Sequence, residues 1–167
     1  MVRRKCSGHA RHCAHRPIQG HPGENQNMRK LFIPVFSLIA AGCATTYQSG
    51  ASSFTGGFYE TPGPGRLEKV AFSGNGFISA KTVEQYALYR CAEKAKSMDK
   101  KYFVLYDSLI QAGRRSAAKG PTVGSVDGKP TAFAFVLYLD VPQAGAFDTD
   151  KVLKELDAVV KAGKANT

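Results

Sequence analysis

At 167 residues the chain has the length of one ordinary domain, and two domains would each be too small to bury a good core. Lys and Arg outnumber Asp and Glu by 23 to 13, a formal net charge of +10, a balance that in general favours nucleic acid or an anionic membrane surface. Arg3, Arg4, Lys5, Arg11 and Arg16 against Glu24, followed by Arg29 and Lys30, supply most of that excess, which leaves a mildly basic chain from Cys43 onward and no expectation of nucleic-acid binding.

Residues 1–27 are polar and contain all four histidines, His9, His12, His15 and His21, together with Cys6 and Cys13. Six residues separate the two cysteines, against two to four in typical zinc ligand pairs, and no apolar residues stand ready to fold around a metal. No metal is expected there. Residues 1–27 read either as an extension upstream of a start at Met28 or as a disordered extension of a chain that starts at Met1.

From Met28 the chain runs Met28-Arg29-Lys30, then a 12-residue apolar stretch Leu31–Gly42, then Cys43. This is a basic n-region, an h-region and a small-residue cleavage site, the anatomy of a secretory signal. A membrane-spanning helix needs roughly 20 apolar residues, and the stretch also holds Pro34, so a permanent anchor helix is not expected.

Ala44 to Gly65 is rich in Ser, Thr, Gly and Pro and reads as a flexible tether, with Phe54, Phe58 and Tyr59 scattered through it. Residues 66–167 then read as the folded domain. Leu67 to Ser73 is predicted as a strand and Gly74-Asn75-Gly76 as its stop. Val83, Ala87, Cys91, Ala95 and Met98 recur at helical spacing from about Ala80 to Met98, with Ser79 as N-cap. Lys101 to Ser108 is predicted as a second strand and Leu109 to Pro130 as a long basic loop carrying Arg114, Arg115, Lys119 and Lys129. Thr131 to Val141 alternates clearly enough for a third strand, and Thr149 to Ala162 for a closing helix with Gly163 as its stop. The expectation is an α+β domain of order β-α-β-β-α, its helices packed on a three-stranded sheet.

Ile39-Ala40-Ala41-Gly42-Cys43 resembles the lipobox of bacterial lipoproteins, with Ala40 where that pattern prefers Leu. The resemblance implies cleavage between Gly42 and Cys43, a diacylglycerol on the Cys43 sulfur and a further acyl chain such as palmitate. One acyl chain binds a membrane only reversibly, whereas two or more hold stably. The run Val70 to Phe77 with its Gly-Asn-Gly-aromatic loop, the helix text Thr82-Val83-Glu84-Gln85-Tyr86-Ala87-Leu88-Tyr89-Arg90-Cys91, Tyr102 to Leu105 and Phe147 to Leu153 are similar to a family of small bacterial envelope lipoproteins of uncharacterised function. That family implies an α+β domain behind a lipid anchor and no activity to carry over. Ala44, where Asp would favour inner-membrane retention in lipoproteins generally, implies an outer-membrane address facing the periplasm.

No histidine lies beyond position 21, so the domain cannot build a Ser/His/Asp, Cys/His or His-ligated metal site. Cys91, on the apolar stripe of the first predicted helix, is expected to pack as a small hydrophobe, with a reactive thiol as the alternative. Gly74, Asn75, Gly76 and Ser79 follow a strand and open a helix, the setting of an anion-binding loop, though a tight turn is the plainer reading. Glu84, Arg90 and Glu93 are expected as solvated helix-face charges or local ion pairs. Together these point to a non-enzymatic protein without cofactor, held in the bilayer through acylated Cys43 and binding an envelope protein or anionic lipid. The alternatives are an envelope enzyme using carboxylates or the Cys91 thiol, and an anion-binding module built on the Gly74–Ser79 loop.

Overall fold

The computed structural model describes residues 45–50 and 55–165, all within the unit Ile39–Thr167. It is an α+β fold with nine elements: β1 (Gly57–Pro62), β2 (Glu68–Ser73), α1 (Ala80–Ser97), β3 (Tyr102–Tyr106), α2 (Leu109–Gly113), β4 (Thr122–Val126), β5 (Lys129–Leu139), β6 (Phe147–Asp148) and α3 (Thr149–Ala165). The six strands form one antiparallel sheet of order β1-β2-β5-β3-β6, with β4 also pairing β5. β5 is the axis. Its one edge carries β2, and its other edge is shared, β4 facing Lys129 to Phe133 and β3 facing Phe135 to Leu139.

The three-stranded sheet expected from the sequence is therefore corrected to six strands, and the order β-α-β-β-α to β-β-α-β-α-β-β-β-α. The basic loop predicted over Leu109–Pro130 holds α2 and β4. Asp127 and Gly128, both at positive φ (51° and 74°), make the two-residue turn joining β4 to β5, the backbone that an Asp-Gly pair favours in hairpins. β4 is exposed along nearly its whole length, so no hydrophobic alternation marks it. The supposed flexible tether is corrected as well, because β1 lies within it and residues 45–50 pack onto the domain. Gln48 and Gly50 bond to Phe58 through the backbone at 2.9 and 3.1 Å, covering part of the outer edge of β1, which blunts an otherwise open strand edge.

α1 and α3 lie together on one face of the sheet. Ser79 caps α1 as expected, its Oγ accepting from the Thr82 amide at 3.0 Å. The buried stripe of α1 is Val83, Tyr86, Ala87, Cys91, Ala92 and Ala95, whereas Met98 is the C-cap and exposed. On the sheet below lie Val70, Phe72, Phe103, Leu105, Ala132, Ala134 and Val136, all buried. Small residues on both sides, Ala132 and Ala134 against Ala87, Cys91 and Ala95, let the helix approach closely enough for native packing density. The opposite face is covered in part by α2 and by Ala117 and Ala146, which pack on Val104, Tyr106 and Leu139.

α3 is capped by Asp148, whose Oδ1 accepts from the Lys151 amide at 2.8 Å. Buried Thr149 ties its start to the turn between α1 and β3, the hydroxyl donating to the Lys100 carbonyl at 2.9 Å and the amide to that of Lys101 at 3.0 Å. Gly163, expected as a helix stop, lies inside α3, and its lack of a side chain is used for contact. A Cβ there would stand 1.6 Å from the Tyr86 hydroxyl oxygen and 2.8 Å from its Cζ. Tyr86 is itself buried among aromatic rings. Gly163→Ala is therefore expected to lower stability by about 1–3 kcal/mol, the usual cost of overpacking, read as a fall in the urea midpoint. An unchanged midpoint would mean that Tyr86 has another rotamer free to it.

Candidate functional site

Gly42 and Cys43, the expected cleavage and lipid-attachment residues, lie outside the described residues, as do His9, His12, His15, His21, Cys6 and Cys13. Thr45, two positions after Cys43, is buried. The Asn75 amide donates to Thr45 Oγ1 at 2.6 Å, so the strap at residues 45–50 is fastened directly to the loop between β2 and α1.

Tyr47 fastens it a second time. Its ring, 6% exposed, packs edge-on against Tyr86 and Tyr89, each at 5.4 Å between centroids, and lies 5.1 Å from Phe58. Its hydroxyl donates to Glu93 Oε2. Burial first, and then the Glu93 carboxylate, raise the Tyr47 pKa far above the usual phenol value, so the hydroxyl stays a donor. Glu93 also accepts from Arg90 Nη1 at 3.0 Å, and Arg90 Nε reaches Glu60 on β1 at 2.5 Å. The guanidinium rests over the Phe58 ring at 4.0 Å, a cation–π geometry. Burial pulls the Arg90 pKa down, but the hydrogen bonds to Glu60 and Glu93 outweigh it and the net direction is up. Lys94 pairs with Glu68 at 3.1 Å, and Tyr138 donates to Glu68 at 3.0 Å.

Arg90 and Glu93 do form the local pair expected of helix-face charges, but both are half-buried and bind across to β1 and the strap. Every carboxylate in this network, Glu60, Glu68 and Glu93, already holds a cationic partner. Cys91 is fully buried, and burial raises its thiol pKa well above the ordinary value, so it sits among α1, β2 and β5 as a small hydrophobe.

In the Gly74–Ser79 loop the amides of three residues are engaged within the protein. Gly74 donates to the Pro130 carbonyl at 2.8 Å, Asn75 to Thr45, and Phe77 to Asn75 Oδ1 at 3.0 Å. The Ser79 hydroxyl accepts the Thr82 amide. The loop is organised as a turn, and these groups are committed to holding it. The basic residues singled out between β3 and β5 do not share an element: Arg114 and Arg115 follow α2, Lys119 precedes β4 and Lys129 opens β5. Among the described residues no group of three metal-ligating side chains occurs, and no helix is long and apolar enough to cross a membrane.

Beside the strap opens a shallow, mainly apolar cleft of about 670 Å³, walled by Thr45, the Phe77–Ser79 turn, Thr82 and Tyr86 on α1, and the last two turns of α3 at Ala158, Val159, Ala162 and Gly163. Phe77 stands at its rim, 74% exposed. Neither Tyr47 nor Phe77 is a candidate on sequence grounds. Tyr47 lies in a Ser/Thr/Gly run without periodicity, and Phe77 is an aromatic in a turn motif. Comparison with protein-family models, with curated proteins and with solved structures finds no match.

Two outcomes are expected from this arrangement. Tyr47→Ala should cost about 3–5 kcal/mol, as for other buried aromatics, while Tyr47→Phe should cost only about 1 kcal/mol for the lost hydrogen bond; chemical denaturation separates them, and a neutral Tyr47→Ala would make the strap a loose tether after all. Cys91 should resist a maleimide in the native protein and react in step with unfolding, followed by mass spectrometry. Rapid labelling of native protein would instead identify an accessible thiol.

Proposed function

We propose that the chain is an envelope lipoprotein: cleaved between Gly42 and Cys43, acylated on Cys43, and non-enzymatic, its α+β domain binding another envelope component from the periplasmic face of the outer membrane. The lipobox resemblance at Ile39–Cys43 and the similarity to small bacterial lipoproteins of uncharacterised function carry the localisation. The structural observation that supports it most is the position of Thr45 and Tyr47. Thr45 and Tyr47, two and four residues after Cys43, are buried in the domain, so a lipid on Cys43 would hold the domain close to the bilayer. Lipid chemistry then supplies the anchor, each buried methylene adding about 0.8 kcal/mol and several chains making it stable.

The non-enzymatic reading is supported by the state of the groups that an enzyme would use. The domain has no histidine, its one buried thiol is held protonated by burial, and each half-buried carboxylate is ion-paired, Glu60 and Glu93 with Arg90 and Glu68 with Lys94. The amides of Gly74, Asn75 and Phe77 already have acceptors, which speaks against an anion-binding loop.

The decisive experiment expresses the protein from Met28 in a bacterial host, alongside Cys43→Ala, and measures intact mass and membrane partition. A mass gain of lipid size, residence in the outer-membrane fraction, and loss of both in Cys43→Ala are expected. An unmodified, soluble product of the wild type would remove the anchor and leave a free secreted domain.

A further inference from the structure

We infer that the end of the domain bearing Phe77 is a membrane-contact face, held against the interfacial layer of the bilayer in which Cys43 is anchored. This deepens the lipoprotein reading and rests on it. Two peptide units separate the Cα atoms of Cys43 and Thr45, a reach of about 7 Å at full extension. The polar layer of a bilayer is about 5–7 Å thick on each side of the hydrocarbon core. Thr45 is buried in the body of the domain and bonded to Asn75, so no slack remains beyond it, and the Asn75–Ile78 turn must lie at headgroup depth. There the fold presents Phe77, the most exposed large apolar side chain among the described residues, at the rim of the apolar cleft that Thr45 itself lines.

The topology says which end this is. Ser73 pairs with Thr131, so the Phe77 turn stands beyond the start of β5. Leu139, ten residues along that strand, pairs with Tyr102 at the other end. At about 3.3 Å per residue β5 separates the two ends by roughly 30 Å. Val141, 65% exposed just past Leu139, therefore marks the pole away from the anchor. Interfacial aromatics seat at the headgroup level because that layer accepts an apolar body beside polar groups.

The chain contains no tryptophan, so Phe77→Trp and, separately, Val141→Trp each introduce a unique fluorophore. Both full-length proteins are expressed with their lipid, checked by intact mass and circular dichroism, and reconstituted in phosphatidylethanolamine/phosphatidylglycerol vesicles doped with chain-brominated phosphatidylcholine. For Phe77→Trp, blue-shifted emission and quenching of about twofold or more are expected, as for a side chain at the headgroup–acyl boundary. For Val141→Trp the emission should be unshifted and unquenched. Adding Cys43→Ala to Phe77→Trp should return its emission to that of a water-exposed indole.

If the Phe77→Trp protein carries the lipid mass but its indole is unquenched, the contact face is overturned while the anchor stands. A blue shift without bromine quenching also overturns it, since protein, such as a second copy of this chain, would then cover residue 77. Absence of the lipid mass overturns both the contact face and the reading beneath it.

Discussion

The hydroxyl of Tyr47 donates to Glu93, and through that bond a segment with no secondary structure of its own becomes part of the domain. Glu93 is shared with Arg90, and Arg90 crosses to Glu60, so strap, α1 and β1 are joined by one chain of charge-assisted bonds. Removing water from such a network strengthens each bond and makes each unpaired member costly. The aromatic rings around it exclude that water: Phe58 lies beneath the guanidinium, and Tyr86 and Tyr89 stand edge-on to Tyr47. No buried side-chain polar atom among the described residues lacks a partner. The network thus fixes the strap in one position rather than merely attracting it.

The second constraint is the distance between the helix layer and the sheet. α1 rests on β5 through alanines and Cys91, and α3 rests on α1 where Gly163 meets Tyr86. At Gly163 there is no room for a side chain. Cys91 is explained by size and place: a larger residue would lift α1 from Ala134 and Val136, and with it the Arg90–Glu60 bond made by the neighbouring residue. The thiol's chemistry is suppressed by the burial that its packing role requires. Tyr86 belongs to both layers, touching Phe72 on β2 and Tyr47 on the strap, so the closeness of α3 and the seating of the strap are coupled.

How much of this was legible in the sequence depended on whether an element buries a regular face. α1, β2, β5 and α3 do so, and their periodicity marked them to within two or three residues, Ser79 included. β1 and β4 are short and bury few of their side chains, so no regular alternation marks them. The Asp127-Gly128 turn was a local signal for the β4–β5 hairpin, yet it stood within a stretch whose basic charge and glycines suggested a loop. Tyr47 had no signal of any kind, because what makes it a core residue is a pocket assembled from β1, β2 and α1, elements up to more than forty positions away. The same holds for Arg90 and Glu93: their i,i+3 spacing announced a local pair, while their cross-chain partners Glu60 and Tyr47 required the fold.

Under the anchored reading the strap changes what a lipid on Cys43 accomplishes. A flexible leash over Ala44–Gly65, 22 residues, would let a domain wander about 25 Å from its anchor and would impose no orientation. With Thr45 and Tyr47 drawn into the core, one residue of leash is left, and an anchor that fixes a single point fixes a pole instead. The bonds that hold the strap, Asn75 to Thr45 and Tyr47 to Glu93, would then serve orientation as well as stability, and the far pole around Leu139 and the α1–β3 turn would be the surface turned away from the bilayer. A partner reaching across that compartment would meet this pole first, with its exposed Met98 and Val141 and the paired Lys100 and Asp140. On that reading the lipid-facing and partner-facing ends would be separated by the length of β5, and the rigidity of the sheet between them would keep one turned away while the other is held down.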